Sequence, residues 1–165
     1  MSYSTEPKVG QFGVTRIKGV TGRLIELGQH LIGSGSRYTH AFVVVADGWV
    51  VQAEPGGATL VPLSSAVGGR DTVYSDLDLT DDQRKAITTK AFRLVHTPYS
   101  YLDYLAIGVR RLFGINALEN YVEDTGHMIC SQLVDDVFRS AGIELFPGRI
   151  PGDVTPGDLA RWLGA

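Results

Sequence analysis

The strongest constraint in this chain lies between residues 40 and 54. His40-Ala41-Phe42-Val43-Val44-Val45 and Trp49-Val50-Val51-Gln52-Ala53 flank Ala46-Asp47-Gly48. Val, Phe and Trp fit a pleated surface, and Asp-Gly is a strong hairpin turn. The pair therefore reads as a β-hairpin, and its loop length decides which side chains share a face. A three-residue loop, Ala46-Asp47-Gly48, sets Phe42 opposite Gln52 and His40 opposite Glu54, so that His40, Gln52 and Glu54 project together. A two-residue loop, Asp47-Gly48, sets Gln52 opposite Val43 and sends it to the other face. The pattern accommodates both registers.

The rest of the chain supplies a sheet and helices around this hairpin. Residues 11–17 alternate weakly as a strand, residues 58–63 resume one after Pro55-Gly56-Gly57, and residues 72–77 form another. Helical spacing appears at 21–33 (Leu24, Ile25, Leu27, Leu31, Ile32), with Thr21 as its N-cap. After residue 78 the chain turns helical. Thr80-Asp81-Asp82 opens a helix running to about Val95 that Thr97-Pro98 ends, with Ala86, Ile87, Ala91, Leu94 and Val95 apolar. Tyr101 to Phe113 forms a second, and about Met128 to Ser140 a third, with Leu133, Val134, Val137 and Phe138 inward. A short helix near 157–163 closes the chain. This order implies an α+β domain, with residues 1–8 as a flexible N-terminus and 9–165 as a single domain.

Composition narrows the function. In 165 residues, 15 Lys+Arg stand against 18 Asp+Glu, a formal charge of −3, which argues against a nucleic-acid partner. No apolar run reaches the length of a membrane span, and no secretory signal opens the chain, which points to cytoplasmic or phage-associated residence and no stable membrane insertion. One cysteine excludes an internal disulfide framework and any multi-cysteine metal site. No metal and no cofactor are expected.

That cysteine, Cys130, falls in the first turn of the third helix. Unpaired N–H groups and the helix dipole there favour an anion, which lowers a thiol pKa. A thiol nucleophile needs a base, and four histidines are available: His30, His40, His96 and His127. His30 and His96 lie in helical patterns, and His127 stands three residues before the thiol. His40 opens a rigid apolar strand, which suits a base held opposite a helix-borne thiol.

The segment Tyr38 to Pro55 resembles the histidine hairpin of circularly permuted papain-like enzymes. These are the NlpC-type amidases and peptidases, especially their YiiX-like branch, and the lecithin:retinol acyltransferase-like proteins. In that group a histidine starts one strand, a polar residue follows twelve positions later, and a cysteine comes last at a helix start. His40, Gln52 and Cys130 match these positions. Met128 to Val134 resembles the cysteine segment, Pro98 to Tyr104 the tyrosine-rich stretch ahead of it, Val9 to Phe12 the opening strand and Val154 to Leu159 the ending. The resemblance spans residues 9–160.

It implies a permuted papain-like fold: an antiparallel β-sheet or small barrel packed on helices, with the cysteine at a helix N-terminus. It also implies a cysteine peptidase or amidase that cleaves an amide in peptidoglycan-type, cell-wall-derived peptides. Cys130 would be nucleophile, His40 base and Gln52 orienter. Two departures stand out. Gln52 replaces the Glu or His of the two branches, so it can orient an imidazole but not stabilise its cation as a carboxylate does, a role open to Glu54. Gln132 and Gln11 replace a frequent Glu and Asp. The same site on a lipid acyl ester would make a lipase or acyltransferase, with helix 101–113, ending in Arg110 and Arg111, facing a membrane. A papain-like scaffold used only for binding or structure is the third reading.

Overall fold

The alternating apolar residues of the hairpin need cover on both faces, and the fold provides it. A computed structural model describes residues 3–17, 35–54, 57–96, 130–150 and 153–165. Six strands form one open antiparallel sheet: β1 (Tyr3–Ser4), β2 (Phe12–Thr15), β3 (His40–Ala46), β4 (Trp49–Glu54), β5 (Gly57–Pro62) and β6 (Thr72–Ser75). Their spatial order is β1-β6-β2-β3-β4-β5, which leaves β1 and β5 at the edges rather than closing a barrel. Four helices lie among the described residues: α1 (Leu63–Val67), α2 (Asp81–Leu94), α3 (Cys130–Ser140) and α4 (Pro156–Leu163). The architecture is α+β.

The hairpin resolves the loop-length question in an unexpected way. Ala46 pairs with Trp49, so the turn is the two-residue Asp47-Gly48, with Gly48 in the left-handed region at φ 70°. Yet Val44 pairs with Val50 and Phe42 with Gln52, the register of the longer loop. An irregularity between Val44 and Ala46 reconciles the two: Val45 is the extra residue of a bulge, and it shifts the register by one. Gln52 thereby shares a face with Phe42 and His40.

One face of the sheet carries the main core. Phe12, Val14, Ala41, Val43, Val51 and Ala53 pack against Ile87 and Ala91 of α2, Leu133, Val134, Val137 and Phe138 of α3, and Leu159 and Leu163 of α4. Phe12 meets Phe138 edge-on, with ring centroids 5.4 Å apart. The second face carries a smaller cluster of Phe42, Val44, Val50 and Tyr74, covered by Ala66 of α1. Gly13 sits under Phe42 there; a Cβ on Gly13 would lie 2.4 Å from Phe42 Cζ.

The helices start where local chemistry dictates. Thr80 and Gln83 form a capping box at α2, and Thr155 and Asp158 form one at α4, with Pro156 in the first turn. The Ser131 hydroxyl donates to the Val154 carbonyl at 2.6 Å, tying the start of α3 to the segment before α4.

Several boundaries differ from expectation. Tyr3 and Ser4 pair with Ser75 and Tyr74 as an edge strand, where a loose terminus was expected. The run at 58–63 ends at Pro62, and α1 follows it without a helical pattern long enough to read. The strand expected at 72–77 stops at Ser75. The helices expected at 21–33 and 101–113, and the tyrosine-rich stretch at 98–104, lie outside the described residues.

Candidate active site

The bulge at Val45 places a buried polar pair on the second face of the sheet. His40 opens β3 and Gln52 lies on β4, diagonally across the strand pair. His40 Nε2 is 2.8 Å from Gln52 Oε1, and both residues are buried. A carbonyl oxygen only accepts, so Nε2 carries the proton and donates it. That fixes the tautomer and leaves Nδ1 with its lone pair. The pKa of His40 is lowered, chiefly by burial; the bond to Gln52 works against this, and the charge of Arg70 adds to it. The resting imidazole is therefore a neutral base.

Cys130 is the first described residue of α3 and is buried against the opposite face, in the cluster that contains Ala41. The backbone dipoles of Ala41, Ser131 and Cys130 itself favour its thiolate. Ala41 follows His40 in β3, so the thiol packs in the cluster under the strand that carries the imidazole. No hydrogen bond joins sulfur to ring among the described residues. His40 and Ala41 leave β3 on opposite faces, as strand alternation dictates, so the ring and the sulfur, which packs on the Ala41 side, lie on opposite faces of the sheet.

The acidity of the thiol runs against the expectation from its helix position. Burial pushes the Cys130 pKa up, and although three backbone N–H groups pull it down, it stands at about 11. Desolvation of the thiolate outweighs the favourable field of the helix start. At neutral pH the site holds a thiol and a neutral imidazole, not an ion pair.

Glu54 ends β4 with an exposed side chain and makes no hydrogen bond to His40 among the described residues. Gln52, not Glu54, holds the ring. His96 lies just beyond α2 with φ 73° and is exposed, its backbone N–H bound to the Ala58 carbonyl. His30 and His127 lie outside the described residues. Gln11 is wholly buried and structural: its Oε1 accepts from the Ser75 hydroxyl at 2.6 Å, and its Nε2 donates to the Leu77 carbonyl at 2.7 Å.

Three neighbours of the pair escaped the sequence reading. Thr15, the register partner of His40, is buried, and the Thr72 hydroxyl lies 2.9 Å from its Oγ1. Thr59 stands opposite Gln52 on β5 with a buried hydroxyl that has no hydrogen-bond partner among the described residues. Arg70 follows α1 and acts on His40 through space. Only the register and the path of α1 bring these residues together, and neither is written in a local pattern.

Among the described residues no group of three or more His, Cys, Asp and Glu is placed to hold a metal ion. No helix there is long and apolar enough to cross a membrane. No protein-family model matches the chain, and no curated protein matches it.

Proposed function

We propose that this protein is a cysteine hydrolase that cleaves an amide bond, with Cys130 as nucleophile, His40 as base and Gln52 as the residue that orients His40. The observation that carries this reading is the buried 2.8 Å bond from His40 Nε2 to Gln52 Oε1, formed on the strand whose next residue, Ala41, packs in the cluster that holds Cys130. Burying an imidazole and an amide costs free energy unless they satisfy each other. Here they do so with one ring nitrogen, leaving the other for proton transfer.

In the proposed cycle, Nδ1 of His40 removes the thiol proton as the sulfur attacks the carbonyl carbon. The C–S bond forms, and the carbonyl π electrons move to oxygen. The Cys130 backbone N–H donates to that oxygen. Collapse of the adduct breaks the C–N bond, and the leaving amine takes the proton from Nδ1. Water then gives a proton to Nδ1, attacks the thioester and releases the carboxylic acid, with the proton returning to sulfur. At rest Gln52 accepts from Nε2–H. For the first step the ring of His40, the first residue of β3, must leave the second face of the sheet and reach the sulfur on the first.

The permuted papain-like fold and a cell-wall peptide amide as substrate belong to the same proposal, supported by the order of His40, Gln52 and Cys130. Cys130→Ala and His40→Ala variants, assayed on cell-wall fragments and with an acyl probe that traps thiols, test it. Loss of turnover and labelling in both variants is expected. A wild-type protein that cleaves nothing and never labels at Cys130 refutes it. The protonated thiol and the absent sulfur–ring bond favour a second reading, a non-catalytic binding module on the same scaffold, which that result would support.

A further inference from the structure

We propose that residues 143–150, between α3 and α4, form a proton-responsive strap, which closes on α3 when Asp135 is protonated and opens locally when Asp135 is ionised. The inference is independent of the hydrolase reading above.

The placement follows from one stripe of α3. Ser131, Asp135 and Arg139 recur at four-residue spacing and so lie on one face of the helix. Asp135 is wholly buried there, and its Oδ2 accepts from Arg139 Nε at 2.8 Å. Arg139 in turn holds the strap. Its Nη2 donates to the Arg149 carbonyl at 2.6 Å and, more weakly, to the Phe146 carbonyl at 3.4 Å. The strap also carries Leu145, which is buried, and Phe146, which packs against the main core. Further along, the Val154 carbonyl accepts from Ser131, the residue after Cys130. The chain that forms the strap is therefore tied to the start of α3 as well as to its middle.

The other oxygen, Asp135 Oδ1, is buried and has no hydrogen-bond partner among the described residues. An ionised carboxylate oxygen held that way costs free energy. The charges around it are engaged elsewhere. On α3, Asp136 pairs with Lys90 of α2 at 3.0 Å. On the strap, Glu144 is exposed and 3.8 Å from Arg139 Nη1, and Arg149 binds Asp158 of α4, which also binds Arg161. Ala41, Val43, Val51 and Ala53, which β3 and β4 turn towards α3, carry no charge. Two events remove the cost. A proton neutralises the carboxyl while Oδ2 still accepts from Arg139, or the strap opens and water reaches Oδ1. Burial raises the Asp135 pKa; Arg139 and then Arg149 work against this, and Asp136 adds to the rise. Once water reaches it, the carboxyl titrates in the ordinary range, so the closed form binds the proton more tightly than the open one. Closure therefore strengthens as pH falls through the Asp135 pKa and is complete below the ordinary carboxylate value.

The test is amide hydrogen exchange of the full chain from pH 7 to pH 4, corrected for intrinsic rates, in wild type and Asp135→Asn. The strap reporters are the Ile143 N–H, bound to the Phe138 carbonyl, and the Arg149 N–H, bound to the Phe146 carbonyl. Amides of β3 and β4 report global opening. In wild type at pH 7 the strap amides should exchange faster than those of the sheet, the sign of a local opening. Asp135→Asn, neutral at every pH, should protect them roughly threefold or more above wild type at pH 7, and the difference should vanish at pH 4. A carbon-13 NMR titration of the Asp135 carboxyl in wild type needs no variant and should give a pKa above the ordinary value of about 3.9. Equal protection of the strap in both proteins at pH 7, a difference that persists at pH 4, strap amides that open only with the sheet, or an Asp135 that titrates at or below the ordinary value overturns the proposal.

Discussion

Replacing Gln52 by Glu changes one atom type in the bond that organises the site. The shape is conserved, and the 2.8 Å contact with Nε2 is retained, now with a carboxylate oxygen as acceptor. A neutral hydrogen bond contributes about 0.5–1.5 kcal/mol and one to a charged group about 1.5–3 kcal/mol. The difference, roughly 1–1.5 kcal/mol, favours the protonated imidazole and corresponds to a rise of about one unit in the His40 pKa. In the wild type the folded-state pKa lies below the ordinary 6.5, because burial disfavours the cation. The unfolded chain then binds the proton first, so stability is full above about pH 6.5 and falls as pH drops through the folded pKa, with a slope of at most about 1.4 kcal/mol per pH unit. In Gln52→Glu that slope flattens, and it reverses if the folded pKa passes 6.5. Urea denaturation from pH 5 to 7.5, with an NMR titration of His40, measures both quantities. A His40→Asn background should abolish the difference between the two proteins. Identical slopes in wild type and Gln52→Glu, with an unmoved His40 pKa, refute the claim that the acceptor opposite Nε2 offsets part of the burial that lowers the His40 pKa.

Other perturbations test the surroundings. Gly13→Ala places a methyl 2.4 Å from Phe42 Cζ, and equilibrium denaturation should show a loss of about 1–3 kcal/mol from overpacking. Asp158 is partly raised by burial, but bonds from Arg149 and Thr155 hold its carboxyl at about 2. Its contribution, about 2 kcal/mol, is present above the ordinary carboxylate pKa and lost as pH falls towards 2, and Asp158→Asn should remove that part of the acid transition. Burial holds Cys130 at about 11 against an ordinary 9, so stability is full below pH 9 and declines from pH 9 to 11; denaturation of Cys130→Ala in that range should lack this decline.

Legibility in the sequence followed the range of the forces involved. The hairpin was readable because alternation and the Asp-Gly turn are local, and Thr80-Asp81-Asp82 announced α2 for the same reason. The register was not readable. Asp47-Gly48 closes a two-residue turn, and only the bulge at Val45 restores the pairing of Phe42 with Gln52. The position of Cys130 at the start of a helix was visible, but its acidity was not, since the desolvation that raises its pKa comes from packing against β3. Arg70 stands thirty residues from His40 in sequence and reaches it only because α1 folds back over the second face.

The central claim is that Cys130 and His40 act as a thiol–imidazole pair. The chain has one cysteine, so intact mass reports acylation at a single known atom. The rate of Cys130 acylation by an activated acyl donor at pH 7, in wild type and His40→Ala, is the most direct measurement. The account predicts a single adduct that forms roughly a hundredfold or more faster in wild type, the range of general-base assistance. Equal rates in the two proteins, or no adduct on the wild type, would contradict it.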